Sequence, residues 1–468
     1  MTCLPSTQQD IRAVSLRPYQ ETAKAALRDA MMRYRSVCYE APTGSGKTIL
    51  FSSIAYSAAM LGTKTCLLTH RRELLLQASR ALHLWGVDHG IIAPGYPRTD
   101  HLIQVASKDT LRRRDGYRWD LVIPDEAHHC VAETYRGILD GQPCLGFTAT
   151  PCRMSGRGLG TVFQHLVSGP AISDLITQGY LPRPVVYGPP VPMNLKGIRS
   201  QAGDYDRQAL TEMLDRQVVT GNAIEHYVKY FNGRPALVFC VSVAHAEHTA
   251  EQYRAAGIRA ESVDGSMATE ARDDRIRSIA DGRLDALMSC DLISEGLDVP
   301  GVYGVQFLRP TKSIAIYRQQ SGRAMRAAPG KTEALILDHV GNYLRHGMPD
   351  RTIEWTLEDG AKKTAPTEKA RQCPECYYVH DPTPKCPNCG HFYYVVPRIK
   401  EQKHQAGELV LVSPEEGQKL FVAAQATGRL SDFHKWAKQT GKKSGAAWHA
   451  WQRQNKKGKR RYADQGTQ

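Results

Sequence analysis

No other stretch restricts this chain as much as Glu40-Ala41-Pro42-Thr43-Gly44-Ser45-Gly46-Lys47-Thr48. Counted from Ala41, it matches the pattern G-x-x-x-x-G-K-[ST], with Ala in the first glycine position. Val37 to Glu40 before it predicts a short strand, and Ile49 to Ala55 after it predicts a buried helix. Strand, glycine loop and helix in that order imply an open α/β sheet with its ligand at the carboxyl edge. Gly44 and Gly46 let backbone N–H groups turn inward around phosphate oxygens, and the helix N-terminus adds positive potential. Thr43, Gly44, Ser45, Gly46 and Lys47 are therefore expected to wrap a nucleotide's phosphates. Lys47 would reach the β/γ pair, and the Thr48 hydroxyl would ligate Mg2+.

At 468 residues the chain is too long for a single core, so two or three domains with appendages are expected. It contains no apolar run of membrane-spanning length, and its first residues carry no basic segment followed by an apolar one. Neither a membrane partner nor a secretory leader is expected. Eight of the twelve cysteines are scattered in mostly apolar surroundings and four form two C-x-x-C pairs, which together fit a reducing, cytoplasmic setting. The net charge of +14 is uneven: residues 391–468 hold 15 Lys and Arg against 6 Asp and Glu. A basic tail on a nucleotide-binding core points to a polyanion partner.

Along the chain, Leu16-Arg17-Pro18-Tyr19-Gln20 opens a helix, with Pro18 suited to its first turn. A glutamine amide matches the N6 donor and N7 acceptor of adenine, so Gln20 is a candidate base contact; a solvated Gln at the helix start is the other reading. Thr65 to Thr69 predicts a strand that runs into His70, Arg71 and Arg72 at a helix entrance, a place to hold a backbone phosphate. Ile103 to Ala106 predicts another strand, followed by Ser107. Leu121-Val122-Ile123 then ends in Pro124-Asp125-Glu126-Ala127-His128. Asp125 can hold Mg2+ through water, while Glu126 can orient and deprotonate a water attacking the γ-phosphate. Cys144 to Phe147 ends in Thr148-Ala149-Thr150, hydroxyls suited to relay phosphate state.

Pro182, Pro184, Pro189, Pro190 and Pro192 are read as breaking regular structure between two lobes. A second α/β pattern follows, with strands at Ala236–Val241, Ala260–Val263, Ala286–Ser289 and Val302–Leu308 and no phosphate loop. Gln319-Gln320-Ser321-Gly322-Arg323-Ala324-Met325-Arg326 spaces two arginines by three, which puts them on one face if the stretch is helical. They can reach across a cleft to the γ-phosphate.

In this order the motifs resemble those of the superfamily 2 DEAH/DEXH-box helicases, over roughly residues 10–350. The resemblance covers Gln20, the loop at Ala41–Thr48, Thr69–Leu74, Asp125-Glu126-Ala127-His128, Thr148-Ala149-Thr150, Glu295–Asp298 and Gln319–Arg326. Leu335 to Asn342, with Arg345-His346-Gly347, looks like the bacterial and phage branch that includes RadD-type and SSL2-type DNA repair helicases. The resemblance implies two RecA-like lobes with ATP between them and a nucleic-acid strand across the top. It implies ATP hydrolysis by Lys47, Thr48, Asp125, Glu126, Arg323 and Arg326, adenine at Gln20 and Arg17, and a nucleotide contact at Asp298. His70, Arg71, Arg72 and Ser107 would face nucleic acid, while His128, Thr148, Thr150 and Gln319 would couple the sites. DNA, single-stranded or branched, is the expected partner, with RNA left open. A DNA-binding ATPase switch that recruits other proteins without separating strands is the competing reading. Two departures stand out: Pro124 precedes the acidic pair, and Ser294-Glu295-Gly296-Leu297-Asp298 lacks an arginine common in relatives.

Beyond a Pro-marked linker come Cys373-Pro374-Glu375-Cys376 and Cys386-Pro387-Asn388-Cys389-Gly390. Four thiolates on two tight turns suit tetrahedral Zn2+ better than a redox pair, and a segment this short needs the metal to fold. Tyr377, Tyr378, Phe392, Tyr393 and Tyr394 either cover the ribbon or stack bases. Short helices are expected over Ser413–Gly428, Ser431–Thr440 and Ala446–Gln454, with Lys442, Lys443 and the Lys456–Arg461 run as phosphate contacts. The expected architecture is α/β: two RecA-like parallel-sheet lobes in tandem (1–183 and 184–350), a linker (351–365), a zinc ribbon (366–397) and a basic helical tail (398–468). ATP, Mg2+ and Zn2+ are the expected cofactors.

Overall fold

The computed structural model describes residues 14–114, 116–153, 157–189, 193–201, 203–214, 219–290, 299, 301–359, 370–393, 414–427, 429–439 and 446–452. The first lobe runs α1 (Pro18–Met31), β1 (Ser36–Glu40), α2 (Lys47–Met60), β2 (Thr65–Thr69), α3 (Arg72–Leu84), β3 (His89–Ile92), β4 (Ile103–Ser107), α4 (Lys108–Arg112), β5 (Leu121–Pro124), α5 (Glu133–Leu139), β6 (Cys144–Thr148) and β7 (His165–Ser168). Its seven strands lie in the order β3-β4-β2-β5-β6-β1-β7, all parallel. All five residues of β2 and of β6 are buried, as expected for strands covered by helices on both faces. α1 turns Gln20, Ala23, Leu27 and Ala30 inward at helical spacing. α2 is apolar nearly all round and packs deep in the same core through Leu50, Phe51 and Ala55.

The second lobe runs α6 (Ile172–Thr177), β8 (Arg183–Tyr187), β9 (Ser200–Gln201), β10 (Asp204–Tyr205), α7 (Arg207–Leu214), α8 (Val219–His226), β11 (Ala236–Phe239), α9 (Val243–Ala255), β12 (Ala260–Val263), α10 (Thr269–Ala280), β13 (Ala286–Ser289), β14 (Gly304–Phe307), α11 (Ile314–Ala324), β15 (Glu333–Asp338) and α12 (Asn342–His346). Its sheet is ordered β12-β13-β11-β14-β15-β8, then continues into β17 (Tyr378–His380) and β16 (Arg371–Gln372). Pro184 does not break structure but lies inside β8, paired with Ala334. The Arg183 N–H donates to Thr332 O, so the next position faces the opposite edge, where pairing with β17 begins only at Val186. A missing donor at Pro184 therefore costs no ladder bond. Pro190 and Pro192 lie outside the described residues. Leu175 of α6 and Leu181 also pack into the second lobe's core, with Val186 and Leu237.

Residues 351–359, expected as a linker, cross back to the first lobe. Leu357 packs beside Leu159 and Phe163, its carbonyl accepts from the Gly160 N–H at 2.8 Å, and Asp359 Oδ1 accepts from the Gly158 N–H at 2.8 Å. A Cβ on Gly158 would sit 2.2 Å from Leu357 O, so this dock requires glycine. The cysteine ribbon is not a free appendage, because β17 pairs antiparallel with β8 at Tyr378↔Tyr187 and Val379↔Val186. The chain divides into two compact units, residues 1–394 and 395–468. Within the second unit, α13 (Pro414–Thr427) and α14 (Leu430–Gln439) pack with the helical residues 446–452 around Phe433, Ala437 and Ala447. The basic run Lys456–Arg461 lies outside the described residues. Among those described, no helix is long and apolar enough to cross a membrane.

Candidate nucleotide cleft and nucleic-acid edge

The loop after β1 forms as its glycines require, with Gly44 at φ 87° and Gly46 at φ 76°. Gly46 is the N-cap of α2 and no side chain caps that end, so the helix leaves N–H groups available there. Lys47 Nζ donates to Ala41 O at 2.9 Å and Pro42 O at 3.1 Å. Burial pulls its ammonium below the usual range, against the opposing charges of Glu126, Asp125 and Glu40. Asp125 sits at the end of β5 with Oδ1 accepting the Glu126 N–H at 2.9 Å. Burial raises its carboxyl above the ordinary range, and Glu126 adds to that. Glu126 itself holds φ 49°, a left-handed conformation that costs a non-glycine residue. Its Oε2 lies 3.4 Å from His128 Nδ1.

The second lobe meets this loop directly. A Cβ on Gly322 would lie 2.6 Å from Thr43 Cβ, and one on Gly44 would lie 3.5 Å from Met325 O and 3.8 Å from Arg326 Cα. Gly44 and Gly322 are therefore glycines of close approach between the lobes. Arg323 is buried on α11, and Arg326 follows its end. Burial pushes the Arg326 guanidinium down to about 10, with Glu126 as the opposing charge. Arg326 also acts on Lys47, so the two basic groups and the acidic pair share one cleft. Gln319 is buried on the same helix.

The expected adenine contact is more engaged than the sequence implied. Gln20 Oε1 accepts the Arg17 N–H at 2.9 Å, and its Nε2 donates to Ser45 O and Gly46 O, each at 3.2 Å. Both faces of the amide thus brace the helix start and the phosphate loop. Beside it, Arg17 lies 4.7 Å over the Tyr180 ring, and the Tyr19 hydroxyl donates to Ser45 O at 2.8 Å. The sequence reading missed Tyr19 and Tyr180; the aromatic next to Gln20 was the available signal for the first, while Tyr180 offered none.

The expected coupling residues are brought together. His128 Nδ1 lies 3.0 Å from Thr148 Oγ1, and that hydroxyl donates to Thr150 O at 3.2 Å. Of the expected nucleic-acid contacts, Thr69 and Ser107 are register partners on β2 and β4, so His70, Arg71 and Ser107 share one sheet edge. Arg72 is exposed at the start of α3. The His70, His129 and His128 rings follow in series with centroids 4.3 Å apart at each step. Across this edge, Arg272 Nη2 of α10 donates to Glu73 Oε1 of α3. Asp298 lies outside the described residues.

In the ribbon, the sulfurs of Cys373, Cys376, Cys386 and Cys389 all lie within 4.8 Å of one another. Cys373 and Cys389 are 3.6 Å apart, and Cys376 and Cys386 3.7 Å. A tetrahedral centre with metal–sulfur bonds of about 2.3 Å needs sulfurs about 3.8 Å apart, so this donor set fits. The aromatics divide. Tyr378 is buried against Tyr187, and the Tyr393 hydroxyl lies 2.7 Å from His380 Nε2, whereas Tyr377 and Phe392 are exposed. Tyr394 lies outside the described residues.

Residues 13–153 match the family described as the res subunit of type III restriction enzymes, and residues 221–328 match the helicase conserved C-terminal domain. A 51.5 kDa protein of a Lactococcus phage is 33% identical over 392 residues, covering 81% of this chain and 82% of its own. A Saccharomyces cerevisiae protein, assigned by inference as the ATP-dependent helicase IRC3, is 29% identical over 354 residues. That match covers 70% of this chain and 51% of the yeast protein, so the chain spans about half its length. The ATP-dependent type ISP restriction-modification enzyme LlaBIII, solved bound to DNA, shares the fold with a TM-score of 0.51 at 16% identity, over 70% of this chain and 28% of its own.

Proposed function

From the premise that this chain belongs to the superfamily 2 DEAD/DEAH-like, ATP-hydrolysing helicases, we propose that it is a motor that moves along DNA and separates or remodels strands in repair, recombination or replication. The carrying observation is the close approach of Arg326 of the second lobe to the phosphate loop, where a Cβ on Gly44 would lie 3.8 Å from Arg326 Cα, with Lys47, Asp125 and Glu126 within its electrostatic reach. Backbone N–H groups of Thr43 to Gly46, with Lys47, bind the phosphates of ATP. Glu126 orients the attacking water and takes its proton. Arg323 and Arg326 stabilise charge developing on the transferred group, and Gln319 reads its presence. Arg17, Tyr19 and Tyr180 hold the base end, with Gln20 bracing the phosphate loop beside it. Thr48 and Asp125 would hold Mg2+, which when bound neutralises charge on the β- and γ-phosphates. Cys373, Cys376, Cys386 and Cys389 would hold Zn2+, which supplies folding energy to the ribbon.

His128, Thr148 and Thr150 link the acidic pair to the strand end beyond it, a path by which phosphate state reaches the nucleic-acid edge. His70, Arg71, Arg72 and Ser107 bind the phosphodiester backbone along that edge. The DNA-bound relative of the same fold and the basic tail support a DNA track, and the reduced-thiol composition supports a cytoplasmic setting. The test compares ATP turnover with single-stranded DNA, forked DNA and RNA, alongside unwinding of a labelled duplex. Strongest stimulation by RNA, or turnover with neither separation of the duplex nor rearrangement of the fork, rejects the reading.

A further inference from the structure

Arg326 lies in the loop that leaves α11, because the helix ends at Ala324 and residues 325–330 run on toward β15. This loop meets the phosphate loop: a Cβ on Gly44 would lie 3.5 Å from Met325 O and 3.8 Å from Arg326 Cα. An arginine carried on a loop is held in place only if the loop's base is closed. Lys331 closes it. Its Nζ donates to Ala324 O at 2.5 Å and to Val302 O, just ahead of β14, at 2.6 Å. Its backbone N–H donates to Ala328 O at 3.0 Å. We propose that Lys331 is a positioning residue for ATP hydrolysis, a staple across the base of loop 325–330 that holds the Arg326 guanidinium where the γ-phosphate is transferred.

The chemistry of the staple follows from where its acceptors lie. The last carbonyls of a helix have no partner within it, and an ammonium there both satisfies one and complements the negative end of the helix dipole. Ala324, Met325 and Val302 are buried in one core with Tyr317 and Phe307, so water is a poor substitute for the lysine at those carbonyls. An ammonium carries three donors on one point, which lets Lys331 serve two carbonyls at once. Pro329 and Gly330, the latter at φ 72°, reverse the chain just before it and return its stem to the helix end. Burial pulls its ammonium down to about 8, as expected for a desolvated cation. Arg323 immediately precedes Ala324, so the same staple also fixes the peptide that follows Arg323. Lys331 touches no reacting atom in this scheme and acts through Arg326.

The inference rests on the ATPase reading above, and a double-mutant cycle separates the two. Lys331→Met, which keeps the stem and removes the donors, and Lys331→Gln, whose amide is shorter, are made in the full chain. ATP turnover is followed with single-stranded DNA present, and thermal melting reports whether each variant is folded. Each change should lower kcat by roughly tenfold, with the ATP KM moving less than about twofold. Lys331→Arg, which keeps a charged donor, should recover part of the loss. In an Arg326→Ala background, adding Lys331→Met should slow turnover by less than about twofold more, because the staple works through that arginine. A full further loss in that background, a change in KM alone, unchanged turnover, no recovery by Lys331→Arg, or loss of folding in both Lys331→Met and Lys331→Gln would each overturn the positioning role. A parent chain without ATPase activity, or an Arg326→Ala variant that turns over at the parent rate, would instead overturn the motor reading itself.

Discussion

The two lobes can be laid over one another strand by strand. The order β3-β4-β2-β5-β6-β1-β7 of the first corresponds to β12-β13-β11-β14-β15-β8-β17 of the second. The same scaffold is put to opposite electrostatic use. In the first lobe, α2 and α3 begin at Gly46 and Arg71 with no side chain closing their N-termini. In the second, α9 and α11 begin at Ser242 and Ser313, whose hydroxyls accept the N–H groups of His245 and Ile316. An open helix N-terminus can receive phosphate; a sealed one has satisfied its own donors. One lobe offers donors and carboxylates, and the other delivers guanidiniums. The last sheet position differs as well: the first lobe fills it with its own β7, the second with a strand borrowed from the cysteine ribbon.

The largest effect expected from this asymmetry is at Lys47. Lys47→Ala should abolish ATP turnover, measured as phosphate release, and a retained rate would break the assignment of the first lobe as the grip. Arg326→Ala tests the other side of the cleft. It should cut kcat by about 10³-fold or more while leaving nucleotide binding measurable by fluorescence titration. If binding is lost with turnover, the second lobe grips ATP as well, and the comparison must be redrawn.

The borrowed strand makes a prediction of intermediate size. Cys376→Ser or chelation should remove one metal equivalent per chain, read by elemental analysis, and lower the melting temperature of the two-lobe core by several degrees, about 1–2 kcal/mol. An unchanged melt would mean β17 adds nothing to the second sheet. Smaller still is a pH effect at the buried acidic groups of the first lobe. Glu40 and Asp125 are raised by burial, Glu40 to about 7. For carboxyls held above their unfolded values, the protonated form is the one the fold favours. Their contribution to stability is complete below the unfolded value near 4.5 and is lost as pH rises through about 7. Urea midpoints should therefore shift downward across that window less in Glu40→Gln than in the parent. Turnover, which needs the charged forms, should rise over the same range. The smallest change is Ser242→Ala, which opens the N-terminus of α9 at a cost of about 1 kcal/mol in denaturant unfolding, with no gain in nucleotide affinity.

Much of the cleft was legible in the residues, because its parts are short-range. The loop at Gly44 and Gly46 and the Asp125-Glu126 step after an apolar strand each declare their geometry within a few positions; the Arg323–Arg326 spacing did not put both on one helix face, because α11 ends at Ala324 and leaves Arg326 beyond it. The cysteine spacing likewise predicted four converging sulfurs. Less legible were features in which a side chain's partner is distant in sequence. Gln20 looked free for a base, yet it braces a loop 25 residues away. Pro184 looked like a break, because nothing nearby shows which side of β8 has no partner to lose.

Local order in the chain settled where strands, turns and the phosphate loop must form, since backbone stereochemistry and side-chain periodicity act over one or two turns. Only the folded whole decided that α6 belongs with the second lobe, that residues 351–359 return to clip Gly158 and Gly160, and that the ribbon completes a sheet. Those outcomes depend on which surfaces remain uncovered after each lobe has packed, and on closing loops of well over a hundred residues. No window of sequence carries that information.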